Sequence, residues 1–271
     1  MRAYIINLDQ AEDRWAALTG AFELREFSVT RVPAVEGAKL ELPTADYDEA
    51  GYRWFHGRPT NLREVGCYLS HLAACRAFLE TGDDHGLICE DDLVLGEDFL
   101  GVLAQALEWR ESWNILRLTG LSAGSARAVQ ALGGGYSICV NFGRLKGAGA
   151  YVLDRRAAEA FVVGLHPMWL PYDHAFDREW VFGLRAASVQ PFPISQTASG
   201  FKSSIQKSSR RPFPSWQRWL TTYPYQAVNE VARGIFRGLS FLRWKTGWQA
   251  KPSAAVLTFG GAKRRAEEKQ G

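Results

Sequence analysis

Three adjacent carboxylates interrupt an apolar run in the first half of the chain. Residues 86–95 read GLICEDDLVL, so Glu90, Asp91 and Asp92 lie between apolar segments typical of a buried strand. Adjacent negative charges repel one another, and a desolvated carboxylate is costly unless it is paired or bound to a metal. The cluster therefore indicates either a solvated turn of acids or a site that binds something positive.

A strand running through the cluster would divide the three acids between two faces. Because alternate side chains of a strand share one face, Glu90 and Asp92 would point the same way and Asp91 the other way. Such a Glu-x-Asp pair offers oxygen ligands to a hard divalent cation, which could neutralise a diphosphate. Ligands of open α/β sheets gather at the carboxyl ends of the strands. From these residues alone, a metal site and a solvated turn are equally open.

Alternating strand and helix patterns on both sides of the cluster predict the fold that must position it. Apolar residues at helical spacing predict helices, as at Leu62, Val65 and Leu69. The alternation predicts an α/β sheet with helical cover. Residues 37–60 lack a clear period and are predicted to be a loop-rich insertion. Strands are predicted within 2–8, 28–35, 85–95, 113–120, 133–154 and 185–196, and helices within 11–27, 61–82, 96–109, 155–165 and 171–184.

The charge of the chain divides between an acidic body and a basic tail. The 271 residues carry a net charge of +3, but between Lys207 and Gly271 there are 13 Lys and Arg against three Glu. This split predicts a body at residues 1–206 and a mainly helical basic tail at 207–271 with a disordered end.

Tryptophans are interleaved with the basic residues of this tail, at Trp216, Trp219, Trp244 and Trp248. Aromatic and cationic side chains together suit a bilayer interface, which predicts peripheral membrane contact. A helical appendage packed on the body is the alternative. No nucleic-acid partner is expected, because no recognition motif accompanies the charge.

The cysteines and the N-terminus predict a cytoplasmic protein. The four cysteines form no CxxC pair and lie in apolar or helical contexts, which favours reduced core thiols over disulfides or a zinc site. The apolar stretch before Asp9 is too short for a secretory signal. With the tail at a bilayer, the protein would lie on the inner face of the cytoplasmic membrane.

Seven segments follow one another along the chain in a fixed order. They are AYIINLDQAEDR, RVPAVEG, EVGCYLSHLAACRAFLETG, LICEDDLVLGEDF, GAGAYVLDRRAAEAF, PYDHAF and SSI. In this order they resemble family-25 glycosyltransferases, the lipopolysaccharide and lipooligosaccharide galactosyltransferase-like enzymes related to collagen galactosyltransferases. The resemblance covers roughly residues 2–206. The resemblance implies a GT-A type fold, with a Rossmann-like mixed sheet and helices on both faces. It also implies a nucleotide-sugar donor, usually UDP-galactose, and inversion at the anomeric carbon.

The resemblance gives the acidic triplet the part of a DxD motif that works with Mn²⁺ or Mg²⁺. Asp92 would contact the metal directly, Glu90 would reach the ribose or the metal through water, and Asp91 would orient the others. The first position is Glu, which is one methylene longer than Asp. That departure puts an exact copy of the DxD geometry in doubt.

Further donor contacts follow from the same resemblance. Asn7 and Arg14 after the first strand would hold the nucleotide, Glu36 would meet uracil or ribose, and Ser70 and His71 would lie in the donor site. An Arg can pair with a diphosphate. Each has an alternative role. Asn7 would simply end the strand, and Arg14 would be a solvated helix charge. Glu36 would be a turn carboxylate, and His71 a core histidine.

An inverting transfer needs a general base that takes the proton of the acceptor hydroxyl. Asp173 in PYDHAF is the candidate, with an N-cap carboxylate as the alternative. Asp177, four residues later, is the fallback, and His174 is an alternative metal or acceptor contact. Ser203 and Ser204 would contact phosphate, unless their segment is a flexible polar linker.

The resemblance, carried over to these residues, implies an inverting, metal-dependent glycosyltransferase that uses a UDP-sugar and a saccharide or lipid-linked saccharide acceptor. Two alternatives remain. Acidic clusters at strand ends also hold Mg²⁺ in phosphohydrolases and phosphotransferases, and a relative could bind saccharide or nucleotide without catalysis.

Overall fold

The computed structural model describes residues 1–25, 27–122, 124–196 and 212–247. Its strands are β1 (Arg2–Asn7), β2 (Val29–Pro33), β3 (His85–Glu90), β4 (Leu93–Leu95), β5 (Ile115–Arg117), β6 (Ala126–Ala131), β7 (Ser137–Asn141), β8 (Ala150–Asp154), β9 (Ala186–Gln190) and β10 (Ile194–Gln196). Its helices are α1 (Glu12–Glu23), α2 (Glu49–His56), α3 (Leu62–Leu79), α4 (Phe99–Leu107), α5 (Arg155–Gly164), α6 (Tyr172–Phe176), α7 (Ser215–Leu220) and α8 (Thr222–Lys245).

Eight strands form one mixed sheet in the order β2-β1-β3-β8-β5-β9-β7-β6. The pairs β1·β2, β1·β3 and β5·β9 are parallel, and the other neighbours are antiparallel. Strands β4 and β10 pair separately as a two-stranded antiparallel sheet. Because β2, β1 and β3 are parallel neighbours, their carboxyl ends meet at one edge of the sheet, where ligands of α/β folds bind.

Both faces of the large sheet are covered by helices. Tyr4 and Ile6 of β1 pack into a cluster with residues of α3 and α5. Ala3 and Ile5 of the same strand pack into a second cluster with residues of α1 and α4. Alternate residues of the strand thus pack into two cores, one on each face of the sheet. This arrangement confirms the predicted α/β fold with helices on both faces.

Helix α3 lies directly against the segment that follows β2. Asn61 caps the helix by accepting a hydrogen bond from the Arg63 N–H at 3.2 Å. A Cβ at Gly66 would lie 2.5 Å from the Val35 carbonyl oxygen, so only glycine permits this approach. The Val35 N–H in turn donates to Ser70 Oγ at 2.8 Å. These contacts bring one face of α3 to the edge where β1, β2 and β3 end.

Two expectations about local structure were wrong. Residues 37–60 contain a helix, α2, whose start is capped by Asp48 accepting from the Gly51 N–H at 2.9 Å. Gly57 ends it in the left-handed conformation, with φ of 72°. The single strand predicted over 85–95 is divided, because β3 ends at Glu90 and the chain turns before β4 pairs with β10.

The described part of the tail packs on the body through α8. Arg233 and Arg237 are buried and reach carboxylates of the body. Trp248 and the rest of 248–271 lie outside the described residues, as do 207–211. None of the described helices combines the length and apolar character needed to cross a membrane.

Candidate active site

A cavity of about 570 Å³ opens at the carboxyl ends of β1, β2 and β3. All three acids of the triplet line it, together with side chains from α1, α3 and the segment after β2. The lining residues are Ile6, Leu8, Gln10, Ala11, Asp13, Arg14, Ala34, Val35, Glu36, Gly37, Ala38, Arg63, Cys67, Ser70, His71, Glu90, Asp91 and Asp92. The structure therefore brings Arg14, Glu36, Ser70, His71 and the acidic triplet to one place.

The triplet does not follow the predicted strand alternation beyond Glu90. Glu90 is the last residue of β3, and Asp91 and Asp92 lie in the turn, where both face the same cavity as Glu90. Two contacts hold Asp91 at the cavity. The Asn7 amide donates to its carboxylate at 2.6 Å, and the Arg14 guanidinium pairs with it at 2.8 Å.

Burial and mutual repulsion raise the pKa values of two of these acids. Burial is the main cause of the raised pKa of Asp91, which Asn7 and Arg14 partly offset. Burial, followed by the charges of Glu90 and Asp91, raises the pKa of Asp92 to about 6. A bound cation would relieve this repulsion, and carboxylate oxygens are the ligands that Mg²⁺ and Mn²⁺ prefer. The side chains of Glu90 and Asp92 thus fit the predicted metal.

Asn7 is not among the residues that line the cavity, and it affects the cavity through its contact with Asp91. Its side chain is 1% exposed, and its amide nitrogen also donates to the Ala11 carbonyl at 3.0 Å. Its amide oxygen accepts from Arg31 Nη2 at 2.7 Å. Both polar atoms of the Asn7 side chain thus bond to protein, and the amide nitrogen holds Asp91 in place.

One face of α3 forms a wall of the cavity with Arg63, Cys67, Ser70 and His71. These positions are spaced four, three and one residues apart, which places them on one side of the helix. Ser70 is buried and donates to the Gly66 carbonyl at 2.7 Å while accepting from Val35. It fixes the helix against the turn after β2.

His71 is held on three sides. Its Nδ1 lies 3.0 Å from the Tyr151 hydroxyl, and its Nε2 lies 3.3 Å from Glu90 Oε1. Its ring stacks on Tyr172 with centroids 4.1 Å apart. A histidine with both nitrogens engaged in this way orients Glu90 at the cavity wall.

Sequence reasoning missed Arg63 and Cys67, which line the cavity. The helical spacing from His71 was the available signal, at four and eight residues upstream. The sequence predicts Cys67 to be a core thiol, but it is half-buried in the cavity wall. In the described part of the chain, the ligand atoms of Cys67, His71 and Glu90 all lie within 4.8 Å of one another. Burial, then nearby acids led by Glu90, raise the pKa of the Cys67 thiol.

Asp173 lies beside this cavity without lining it. It is half-buried in the first turn of α6, next to the Tyr172 ring that stacks on His71. Its charge is one of those that raise the pKa of Cys67. The other acceptor-side candidate, His174, packs against His56 and Arg144, and burial lowers its pKa.

Asp177, the predicted fallback base, lies in a buried cluster of arginines. It is 2% exposed, and its carboxylate bonds Arg117 at 3.1 Å, Arg233 at 3.2 Å and Arg237 at 2.9 Å. Helix α6 ends at Phe176, so Asp177 leaves the helical face that carries Asp173. Ser203 and Ser204 lie outside the described residues.

Comparison with known proteins gives one family match. The model of glycosyltransferase family 25 (LPS biosynthesis protein) matches residues 1–176. The chain is similar to a glycosyltransferase 25 family member of Anopheles gambiae, with 32% identity over 114 residues. It is also similar to a second such member from Aedes aegypti (27% over 112) and to procollagen galactosyltransferase 1 of Danio rerio (28% over 97).

These matches cover part of each protein. The Anopheles match spans 38% of this chain and 19% of the relative. The Aedes match spans 39% and 18%, and the Danio match 33% and 16%. The chain thus aligns with less than a fifth of the length of each of these relatives.

Proposed function

The chain belongs to glycosyltransferase family 25, and we propose that it transfers galactose from UDP-galactose, with inversion, to a saccharide acceptor of lipopolysaccharide or another cell-surface glycan. The observation that carries the proposal is the cavity at the ends of β1, β2 and β3, where Glu90, Asp91 and Asp92 face Arg14 and Arg63. A site that combines carboxylates with guanidinium groups suits a diphosphate bound together with a divalent cation.

The donor is bound by residues of three elements. Arg14 from α1 and Arg63 from α3 offer cationic, multidentate donors to the diphosphate. Glu36, after β2, accepts from the ribose or uracil. Glu90 and Asp92 would hold Mn²⁺ or Mg²⁺, which when bound supplies charge neutralisation for the departing UDP.

Asp173 supplies the general base of the transfer. Its carboxylate takes the proton from an acceptor hydroxyl as that oxygen attacks the anomeric carbon. The new carbon–oxygen bond forms on the face opposite to the breaking bond to UDP, so the configuration inverts. UDP leaves with the bonding electron pair, and no covalent enzyme intermediate is required.

Calorimetric titration with UDP and UDP-galactose, with and without Mn²⁺, tests the donor site directly. We expect the unsubstituted protein to bind UDP more tightly with Mn²⁺, and Asp92→Asn to lose at least about tenfold in that Mn²⁺-dependent affinity. Asp98→Asn is the matched control, because Asp98 is an exposed carboxylate six residues further along. It should bind as the unsubstituted protein does.

Transfer of radiolabelled galactose to truncated lipopolysaccharide acceptors completes the test. Equal UDP affinity of the unsubstituted protein with and without Mn²⁺, or a gain with Mn²⁺ that Asp92→Asn keeps in full, would contradict the metal role. Phosphate release from simple esters, with no binding of any UDP-sugar, would assign the site to a phosphohydrolase. UDP binding without turnover on any acceptor would assign a non-catalytic relative.

A further inference from the structure

Over residues 228–242, helix α8 has its polar and apolar faces reversed relative to an ordinary surface helix. The side of this stretch that packs on the body buries Asn229, Arg233, Arg237 and Ser240. Trp244, in the last turn, is also buried and packs on Trp109, so it is not exposed for the bilayer contact predicted from the sequence. The side that faces away from the body carries Val228, Val231, Ile235, Leu239 and Leu242, which are 53–68% exposed. These five residues are called the outer face below. A surface helix normally buries its apolar stripe. We therefore expect the outer face to contact something other than the body.

The polar side of α8 is fixed to the body by ion pairs, so the helix cannot roll its apolar side inward. Arg237 pairs with Glu179 at 2.6 Å and with Asp177 at 2.9 Å. Arg233 also pairs with Asp177, at 3.2 Å. Turning the outer face toward the body would break these buried pairs and leave carboxylates uncompensated.

The outer face is a continuous stripe. Its members recur three or four residues apart from 228 to 242, which spans about 21 Å of helix. Gly234 and Gly238 lie between them, and a Cβ at either position would meet nothing within 4 Å. Trp216 and Trp219 of the preceding helix α7 are also exposed, at 68% and 69%.

The charge near the outer face is positive. Glu230 is the one carboxylate in the sequence from 212 to 247, and it is paired with Arg144 and Arg233. Arg243 and Lys245 are exposed in the last turn of α8. This charge complements a surface of anionic headgroups.

We propose that the outer face docks on an anionic lipid bilayer, with α8 lying in the plane of the interface. Aliphatic side chains enter the acyl boundary, tryptophans suit the headgroup level, and Lys and Arg reach the phosphates. A bilayer accounts for the apolar stripe, the tryptophans and the cations together. A second copy of the chain would account for the stripe alone. The proposal does not depend on the proposed transferase chemistry.

Vesicle flotation of the full chain tests this surface. The probes are vesicles of phosphatidylcholine alone and vesicles with about one third phosphatidylglycerol. We expect the unsubstituted chain to float with the phosphatidylglycerol vesicles and to bind phosphatidylcholine at least about tenfold more weakly. The double variant Ile235→Ser/Leu239→Ser should lose about tenfold or more in binding to the anionic vesicles.

The matched control is Leu24→Ser/Val163→Ser, because both side chains are exposed apolar residues of the body. It should float as the unsubstituted chain does. A second variant, Arg243→Gln/Lys245→Gln, should weaken binding to phosphatidylglycerol vesicles while leaving the weak binding to phosphatidylcholine unchanged. Thermal melting checks that each variant is folded, and UDP binding reports separately on the donor site.

Two results would overturn the proposal. The first is an unsubstituted chain that stays in solution with both vesicle types, or an Ile235→Ser/Leu239→Ser variant that floats equally well. The second is a dimer in sedimentation velocity that this variant dissociates, with no vesicle binding. That result would assign the outer face to a second copy of the chain, for which Gly234 and Gly238 permit close helix approach.

Discussion

The imidazole ring of His71 lies flat on the phenol ring of Tyr172, with ring centroids 4.1 Å apart and ring planes 2° apart. The Tyr151 hydroxyl joins both, at 3.0 Å from His71 Nδ1 and 2.8 Å from the Tyr172 hydroxyl. His71 belongs to the cavity wall on α3, and Tyr172 precedes Asp173 on α6. This buried contact therefore fixes α6 beside the cavity, with Asp173 at its edge.

Replacing Asp173 by Asn should separate donor binding from transfer. The amide keeps the shape of the side chain but cannot take a proton, so we expect transfer to fall about 10²- to 10⁴-fold. UDP affinity in the presence of Mn²⁺ should stay within about twofold, because Asp173 does not line the cavity. Single-turnover transfer and calorimetry measure the two quantities.

Asp177→Asn serves as the comparison for that variant. Asp177 is buried in ion pairs with three arginines, so its substitution should lower the unfolding temperature and leave the pH profile of transfer by the remaining folded protein unchanged. Full turnover by Asp173→Asn would remove Asp173 from the mechanism.

Replacing Asn7 by Asp should destabilise the protein while keeping the side-chain shape. The Asn7 amide nitrogen donates to Asp91 at 2.6 Å and to the Ala11 carbonyl at 3.0 Å. A carboxylate there loses both donors and places negative charge against Asp91. We expect about 2 kcal/mol or more of lost unfolding free energy in urea titrations, because Asn7 is buried.

The exposed Asp9, two residues further along, offers the control as Asp9→Asn, which should change the unfolding free energy by about 0.5 kcal/mol or less. If the unfolding free energy of Asn7→Asp equals that of the unsubstituted protein, Asn7 does not hold Asp91.

Much of the cavity follows from local sequence patterns. The apolar periods of β1, α3 and β3 are strong, and parallel strands bring their carboxyl ends together wherever the chain places them. Residues just after those strands, such as Glu36 and Asp91, therefore lie at the same edge of the sheet and line one cavity. The roles assigned to them in the transfer remain predictions.

Other features depend on contacts that no local pattern records. Helix α2 has eight residues, and its formation rests on the Asp48 cap and on packing of Tyr52 in the core. Asp173 and Asp177 are four residues apart, but α6 ends between them, so only one remains beside the cavity. Arg233 and Arg237 look solvated in sequence, yet they meet carboxylates more than 50 positions away.

Replacing Arg237 by Met should be one of the most destabilising changes in the tail. The Arg237 guanidinium bonds both oxygens of Glu179, at 2.6 and 2.8 Å, and Asp177 at 2.9 Å. Removing it takes the guanidinium partner from the buried Glu179 and one of three arginines from Asp177, and breaking a buried pair in this way costs about 3–5 kcal/mol. Chemical denaturation followed by circular dichroism measures the loss.

Arg243→Met is the matched control, since Arg243 is an exposed arginine of the same helix. Its effect on the unfolding free energy should be within about 0.5 kcal/mol. Equal stabilities of the two variants would mean that α8 does not depend on its ion pairs with the body.

Acid should destabilise the protein through His56. Burial, then the positive charges of His174 and Arg58, lowers the pKa of His56 to about 3. Its ring packs on Tyr52 with centroids 4.9 Å apart. Between about pH 6.5 and pH 3, His56 binds a proton in the unfolded chain but not in the folded protein, so stability falls as the pH falls.

His56→Phe keeps a ring on Tyr52 but removes this titration. Relative to the variant, the unsubstituted protein should therefore lose up to about 1.4 kcal/mol of unfolding free energy for each pH unit below 6.5. Urea titrations at several pH values measure the difference, and the imidazole NMR signals of His56 should stay those of the neutral form at pH 5. Parallel stability curves, or a charged imidazole at pH 5 in the folded protein, would contradict the prediction.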